Sequence, residues 1–287
     1  MMKKWIVFII IIFALIFIGL QFKPIEQVAK TMVSEPDYLN KNGLTIKDRA
    51  KIPEGFERVI YQKGSFQEYI QNYKLKPFGS RVINYDGSDY FYQFGHIGVL
   101  EIPVPKNGLQ QCADALIRIR SEYLWSKNQK HKIGFNFTSG HYCSWEQFAK
   151  GYRPKVKGNK VSFHKTTTEN HTKENFYKYL NLIYTYSGTI SLYNEMKKIN
   201  SISELQVGDM LIVGGSPGHV VMIGDVIKNN NGERLFLLFQ GNTPAQSVHL
   251  LKNLEETSIS PWYNLKLNKE VYVPGYTFNN SKFIRFK

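Results

Sequence analysis

A chain of 287 residues in which 43% are hydrophobic and 14% aromatic carries enough apolar material for a sizeable core, which excludes wholesale disorder. Lys and Arg number 37 against 23 Asp and Glu, a net charge of +14, but the basic residues are scattered. No run of five or six of them forms a nucleic-acid arm, so nucleic acid is not an expected partner. The charge describes either a solvated lysine-rich surface or attraction to cell-wall or other anionic envelope material.

In chain order, Met1-Met2-Lys3-Lys4 precedes an uninterrupted apolar run at 5–20. A positive start followed by such a run predicts an export signal peptide or signal-anchor helix over 1–22. In the anchored case residues 5–20 form a transmembrane helix that holds the chain to the cytoplasmic membrane, with the remainder extracytoplasmic. Residues 23–50 are polar and mixed and are expected to form a tether, followed by a single α+β domain over 51–287.

Within that domain, residues 56–61 alternate like a strand, and Ser65 with Glu68 three residues on marks a capped helix over 65–73. A strand is expected at 98–104, ended by Pro103 and Pro105. A helix follows over 109–129, a strand over 133–138, and a hairpin over 155–164 turning at Gly158-Asn159. Residues 174–198 are mainly helical, interrupted near 187–189. The last third is strand-rich, with strands at 210–213, 219–227 and 235–240. A helix-bearing first half and an antiparallel second half make an α+β arrangement.

Chemistry centres on Cys112, in the first turn of the predicted helix. A thiol there meets unpaired backbone N–H groups and the positive end of the helix dipole, which favour thiolate and could hold an oxyanion. The bland alternative is a core thiol, because Cys112, Leu116, Ile119 and Tyr123 share one helix face. His219 opens a strand directly after the glycine turn at 214–218, where it can reach a helix N-terminus. Gln240 and Asn242 end the next strand and are the candidates to orient the imidazole through its second nitrogen.

A cysteine hydrolase would use Cys112 as nucleophile, His219 as base and then acid, and Gln240 or Asn242 as the orienting group. The Cys112 N–H, with Gln110 or Gln111, would hold the oxyanion. The alternative function is a non-catalytic envelope protein that binds wall polymer or polysaccharide. No cofactor is implied. Cys143 with His141 supplies two possible metal ligands, too few for a site. Cys112 and Cys143 could instead form a disulfide closing a loop of about 30 residues. Asp114 and Arg118 have the spacing of a local ion pair, and His249 reads as structural or surface.

The stretch from Gly208 to Asn242 resembles the second half of the papain-like wall hydrolases, the NlpC/P60 and CHAP families. There a Gly-Asp turn precedes a strand, His-Val opens the next, and a polar residue on the following strand completes the site. The resemblance implies a papain-like core carrying insertions, a helix packed on an antiparallel sheet, and amidase or peptidase action on cell-wall peptide or a related amide. The order Cys, His, polar residue is kept, although the separation of 219 − 112 = 107 residues requires an insertion. Over roughly 50–285 the chain also resembles the bacterial envelope family known as domain of unknown function 4846. That likeness is carried by LKPFGS at 75–80, LQQCADALIRIRSEYLW at 109–125, IGFNFTSG at 133–140 and YSGTISLYNE at 186–195. It continues in GDMLIVGGSPGHVVMIGDV at 208–226, PAQSVHLLKN at 244–253 and SPWY at 260–263. It implies no chemistry by itself.

Overall fold

The computed structural model describes Ala29 and residues 35–287. Among these residues no helix is long and apolar enough to cross a membrane, so the expected transmembrane helix is not found among them. The run at 5–20 and the signal or anchor reading of 1–22 lie outside the described residues.

The described chain is mixed α and β. Its six helices are α1 (Ile46–Arg49), α2 (Phe66–Gln71), α3 (Cys112–Ser126), α4 (Trp145–Ala149), α5 (Lys173–Tyr186) and α6 (Thr189–Glu195). The first strands are β1 (Phe56–Arg58), β2 (His96–Val99), β3 (Gly134–Asn136), β4 (Tyr142–Ser144), β5 (Tyr152–Lys157), β6 (Lys160–Lys165) and β7 (Lys197–Ile199). The remainder are β8 (Met210–Val213), β9 (His219–Asn229), β10 (Arg234–Gln240), β11 (His249–Leu251), β12 (Val271–Val273), β13 (Tyr276–Phe278) and β14 (Lys282–Arg285). Eight strands form one antiparallel sheet in the order β2-β11-β10-β9-β8-β14-β7, with β1 on the far end of β9. The pairs β3–β4, β5–β6 and β12–β13 are separate two-stranded ribbons.

Strand β9 is the spine of this sheet. Residues 219–227 are all buried, and from Val220 to Gly224 the run is apolar without alternation, as expected of a strand covered on both faces. Helices α1, α2 and α3 all pack on it. Asp225 interrupts the run and is fully buried. Its carboxylate accepts from Arg58 Nε at 2.7 Å, from Gln71 Nε2 at 2.6 Å and from the Val226 N–H at 2.9 Å. Such a charge is tolerated in a core only when paired and hydrogen-bonded.

The Gly208-Asp209 turn has a similar anchoring role. Gly208 takes φ 87°, and a Cβ there would lie 2.9 Å from the Phe66 ring. Asp209 receives Arg285 in a two-pronged pair, Nε to Oδ1 at 2.6 Å and Nη2 to Oδ2 at 2.7 Å, which fastens β14 beside β8.

Several expected boundaries shift for local reasons. The helix expected from 109 begins at Cys112, because Gln111 donates its backbone N–H to Leu109 O and to the Asp114 carboxylate. The strand expected at 98–104 occupies 96–99, well before the prolines. The helical stretch at 174–198 breaks at Ser187 and Gly188 into α5 and α6, as expected, but ends at Glu195, with Lys197 and Lys198 in β7 instead. The 23–50 tether is packed into the domain from Leu39 onward. Asn40 N bonds Arg49 O at 2.8 Å, Lys51 N bonds Tyr38 O at 2.7 Å, and Ile46 is fully buried.

Arg49, inside that segment, is fully buried. Its guanidinium donates to Gly43 O at 3.0 and 2.7 Å, to Ile97 O at 2.6 Å and to Lys76 O at 3.3 Å. One cation thereby ties α1 to β2 and to the turn after α2. Burial alone lowers its affinity for its proton, so the carbonyls do the compensating.

Candidate active site

Strands β9 and β10 run antiparallel, with Met222 opposite Phe239, so the start of β9 and the end of β10 lie at the same end of the sheet. His219 is the first residue of β9 and Gln240 the last of β10. One strand further, His249 of β11 sits directly opposite Gln240. The N-terminus of α3 packs over this end. A Cβ on Gly241 would lie 2.9 Å from Ala115 Cβ, 3.1 Å from Gln111 O and 3.6 Å from Cys112 Cα. The α3 backbone therefore comes this close because residue 241 has no side chain.

Cys112, His219, Gln111 and Asn242 line a common cleft of about 690 Å³, whose far wall is the glycine turn at 215–218 and the start of α6. Gly218 has no room for a Cβ, which would fall 2.6 Å from Gly215 O and 2.5 Å from Thr189 Oγ1. Thr189 Oγ1 donates to Gly215 O at 3.1 Å, so α6 and the turn form one wall.

The imidazole of His219 is 3% exposed and bonds through Nε2 to Gln240 Oε1 at 2.7 Å. The Tyr276 and Phe278 rings pack against it with centroids 4.8 and 5.7 Å away. Burial lowers its pKa to about 4, against the opposing pull of the Gln240 bond. The thiol of Cys112 meets the backbone N–H groups of Ala113 and Val220, the latter belonging to the residue after His219. Among the described hydrogen bonds none joins the thiol to the imidazole.

The expected thiolate is corrected here. Cys112 is 6% exposed. Burial first, then the neighbouring Asp114 carboxylate, push its pKa up to about 11 despite the surrounding N–H groups. Desolvation outweighs the helix terminus. The resting site holds a neutral thiol and a neutral imidazole.

The other expected residues separate. Gln240, not Asn242, orients His219; Asn242 Oδ1 accepts from Thr243 N at 2.8 Å, while its side chain also bonds Tyr90. Gln111 lines the cleft, and its Oε1 accepts from Thr243 Oγ1 at 3.0 Å, leaving its amide NH₂ as a donor. Gln110 is fully buried against Arg118, whose Nη1 donates to Gln110 Oε1 at 2.8 Å, and it does not line the cleft. Arg118 pairs with Glu122 at 3.0 Å instead of Asp114. Asp114 caps Gln111 N at 3.0 Å and is pushed up to about 7 by burial. Cys112 and Cys143 are both free and buried, so the disulfide is absent. Among the described residues no group of three His, Cys, Asp or Glu could hold a metal ion.

Sequence reading took His249 for a structural or surface residue and passed over Gly241 and Tyr276. The glycine pair flanking the site, Gly218 and Gly241, was visible as letters, but only packing shows why each must stay small. Gly241→Ala is expected to lift the start of α3, costing about 1–3 kcal/mol by overpacking. A melting temperature equal to that of the unsubstituted chain would contradict this account of the close approach.

Residues 46–285 match the family model described as domain of unknown function (4846), and the chain belongs to that family. No curated protein and no solved structure matches the chain.

Proposed function

We propose that this protein is a papain-like cysteine amidase or peptidase, with cell-wall peptide or a related amide as its substrate class. The observation that carries the reading is the 2.7 Å bond from His219 Nε2 to Gln240 Oε1. It uses one imidazole nitrogen for orientation and leaves Nδ1 for the cleft that Cys112 also lines.

The reaction follows from that arrangement. As Cys112 sulfur attacks the amide carbonyl, its proton passes to His219 Nδ1. The Cys112 N–H at the start of α3 and the Gln111 side-chain amide stand as donors for the developing oxyanion. His219 then protonates the leaving nitrogen, giving a free amine and a thioester. Water attacks the thioester with His219 again as base, releasing carboxylate and restoring the thiol.

A neutral resting pair is compatible with this chemistry. Proton transfer between groups near 11 and 4 costs roughly 10 kcal/mol at about 1.4 per unit, before the two new charges attract. A turnover of about 10 per second allows a barrier of about 16 kcal/mol. The charge separation therefore belongs to the reaction step instead of the resting state.

The second reading, a non-catalytic binding protein, is favoured by the burial of the thiol. A peptide vinyl sulfone, which a reactive cysteine alkylates by adding across the double bond, separates the two. The enzyme reading expects an adduct on Cys112 of the native chain, none on Cys143, and none in Cys112→Ala. If Cys112 stays unmodified until the protein is denatured, the binding reading replaces it.

A further inference from the structure

We propose that His249 is a positioning residue for this site: it fixes which way the Gln240 amide faces, and so which nitrogen of His219 stays bare. The inference rests on the cysteine-enzyme reading and extends it by a residue one strand further from the cleft.

A sequence of protons, its ends set by two backbone carbonyls, links His249 to His219 through Gln240. His249 Nδ1 lies 2.9 Å from Ser247 O. A carbonyl only accepts, so Nδ1 carries the hydrogen and Nε2 of the neutral ring is bare. That bare nitrogen lies 3.3 Å from Gln240 Nε2 and accepts from it. The second hydrogen of the same NH₂ goes to Pro274 O at 3.1 Å. With both its hydrogens placed, the amide nitrogen faces β11 and Pro274, and Oε1 faces His219 at 2.7 Å. His219 must then donate from Nε2, which leaves Nδ1 as the base.

Reversing the amide would set an NH₂ against His219 Nε2 and an oxygen against the bare His249 Nε2, a contact with no hydrogen in it. The sheet fixes the pairing, because Gln240 and His249 are register partners. The His249 ring is 3% exposed and has the His96 and Tyr90 rings for neighbours at 5.9 and 6.5 Å. Its own orientation is thus fixed by packing as well as by Ser247.

The test is a long-range proton–nitrogen spectrum of the full-length chain labelled with ¹⁵N-histidine at neutral pH, with peptide vinyl sulfone labelling read in parallel. The unsubstituted protein should show His249 protonated at Nδ1 and His219 at Nε2. His249→Phe keeps a ring but removes the acceptor. It should give His219 a mixture of tautomers and slow adduct formation about 10-fold, in line with other groups that orient a site from its second layer. His249→Asn, whose carbonyl can again accept from Gln240, should restore most of both readouts.

His249 found protonated at Nε2 in the unsubstituted chain would overturn the proposal without any variant. An unchanged His219 tautomer in a folded His249→Phe would overturn it while leaving the enzyme reading intact, provided that His219→Ala still blocks the adduct. Absence of adduct from the unsubstituted protein, with tautomers as described, would instead remove the enzyme reading and the catalytic role built on it.

Discussion

Replacing Arg49 by methionine is expected to destabilise the folded protein by about 3 kcal/mol, lowering the melting temperature by roughly 6–12 °C for a domain of this size. Opposing effects set the size of this change. The guanidinium satisfies carbonyls of Gly43, Ile97 and Lys76 from a fully buried position. Each charge-assisted bond is worth about 1.5–3 kcal/mol. Methionine returns part of that loss by sparing the protein a buried charge. Arg49→Lys should fare no better, since an ammonium cannot fork between Gly43 and Ile97 and is more strongly hydrated. Thermal unfolding of both variants decides the matter; melting within a degree or two of the parent would mean that the carbonyls find water or other donors.

The second large effect concerns His219. His219→Ala is expected to slow alkylation of Cys112 by a peptide vinyl sulfone about 10²–10⁴-fold, the range for loss of a positioned general base. The pH dependence carries its own signature. His219 acts as base only when neutral, and burial lowers its pKa to about 4. Asp114, pushed up to about 7, loses its charge early in the descent and ceases to raise the thiol, so the rate should not fall between pH 7 and about 5 and should drop as pH passes through about 4. An ordinary exposed histidine would place that fall near 6.5. Intact-mass kinetics across this range, with circular dichroism to confirm folding at each pH, gives the profile. A fall near 6.5 would show that His219 is more hydrated than its 3% exposure implies.

The amino-acid pattern made much of the last third legible. The strands at 210–213, 219–227 and 235–240 are short apolar runs bounded by Gly, Asp and Asn, and they pair consecutively, so local signals suffice. Strands β1 and β2 were expected but with longer bounds, and β7 and β14 were missed, because all four join the sheet from distant parts of the chain and have only three or four residues each. The segment 39–50 looked like a tether since its anchor, Arg49, is a charged residue whose partners are backbone carbonyls. No residue type announces such partners.

At the cleft, Cys112 and His219 could be paired from a helix start and a strand start, and Gln240 from the strand that follows. The thiol's protonation state could not, since helix position argues for thiolate and burial argues more strongly against it. His249 read as merely structural or surface for a related reason. Its importance lies in a register across β10 and β11, and nothing in the neighbouring letters encodes which strand lies beside which.

The ion pair between β1 and β9 bears on where this protein may be cut. Asp225 sits in the middle of the spine strand, and the cation paired with it, Arg58, enters from 167 residues earlier, also reaching Lys47 O at 2.7 Å. A fragment begun after Arg58 would leave the buried Asp225 carboxylate with the Gln71 and Val226 donors but without the Arg58 guanidinium, and one begun after Arg49 would lack the cation that holds α1 to β2. The cleft residues all come later than Gly108, yet a piece containing only them is expected not to fold by itself. Any minimal version meant for crystallisation, selection or fusion has to start upstream of Leu39.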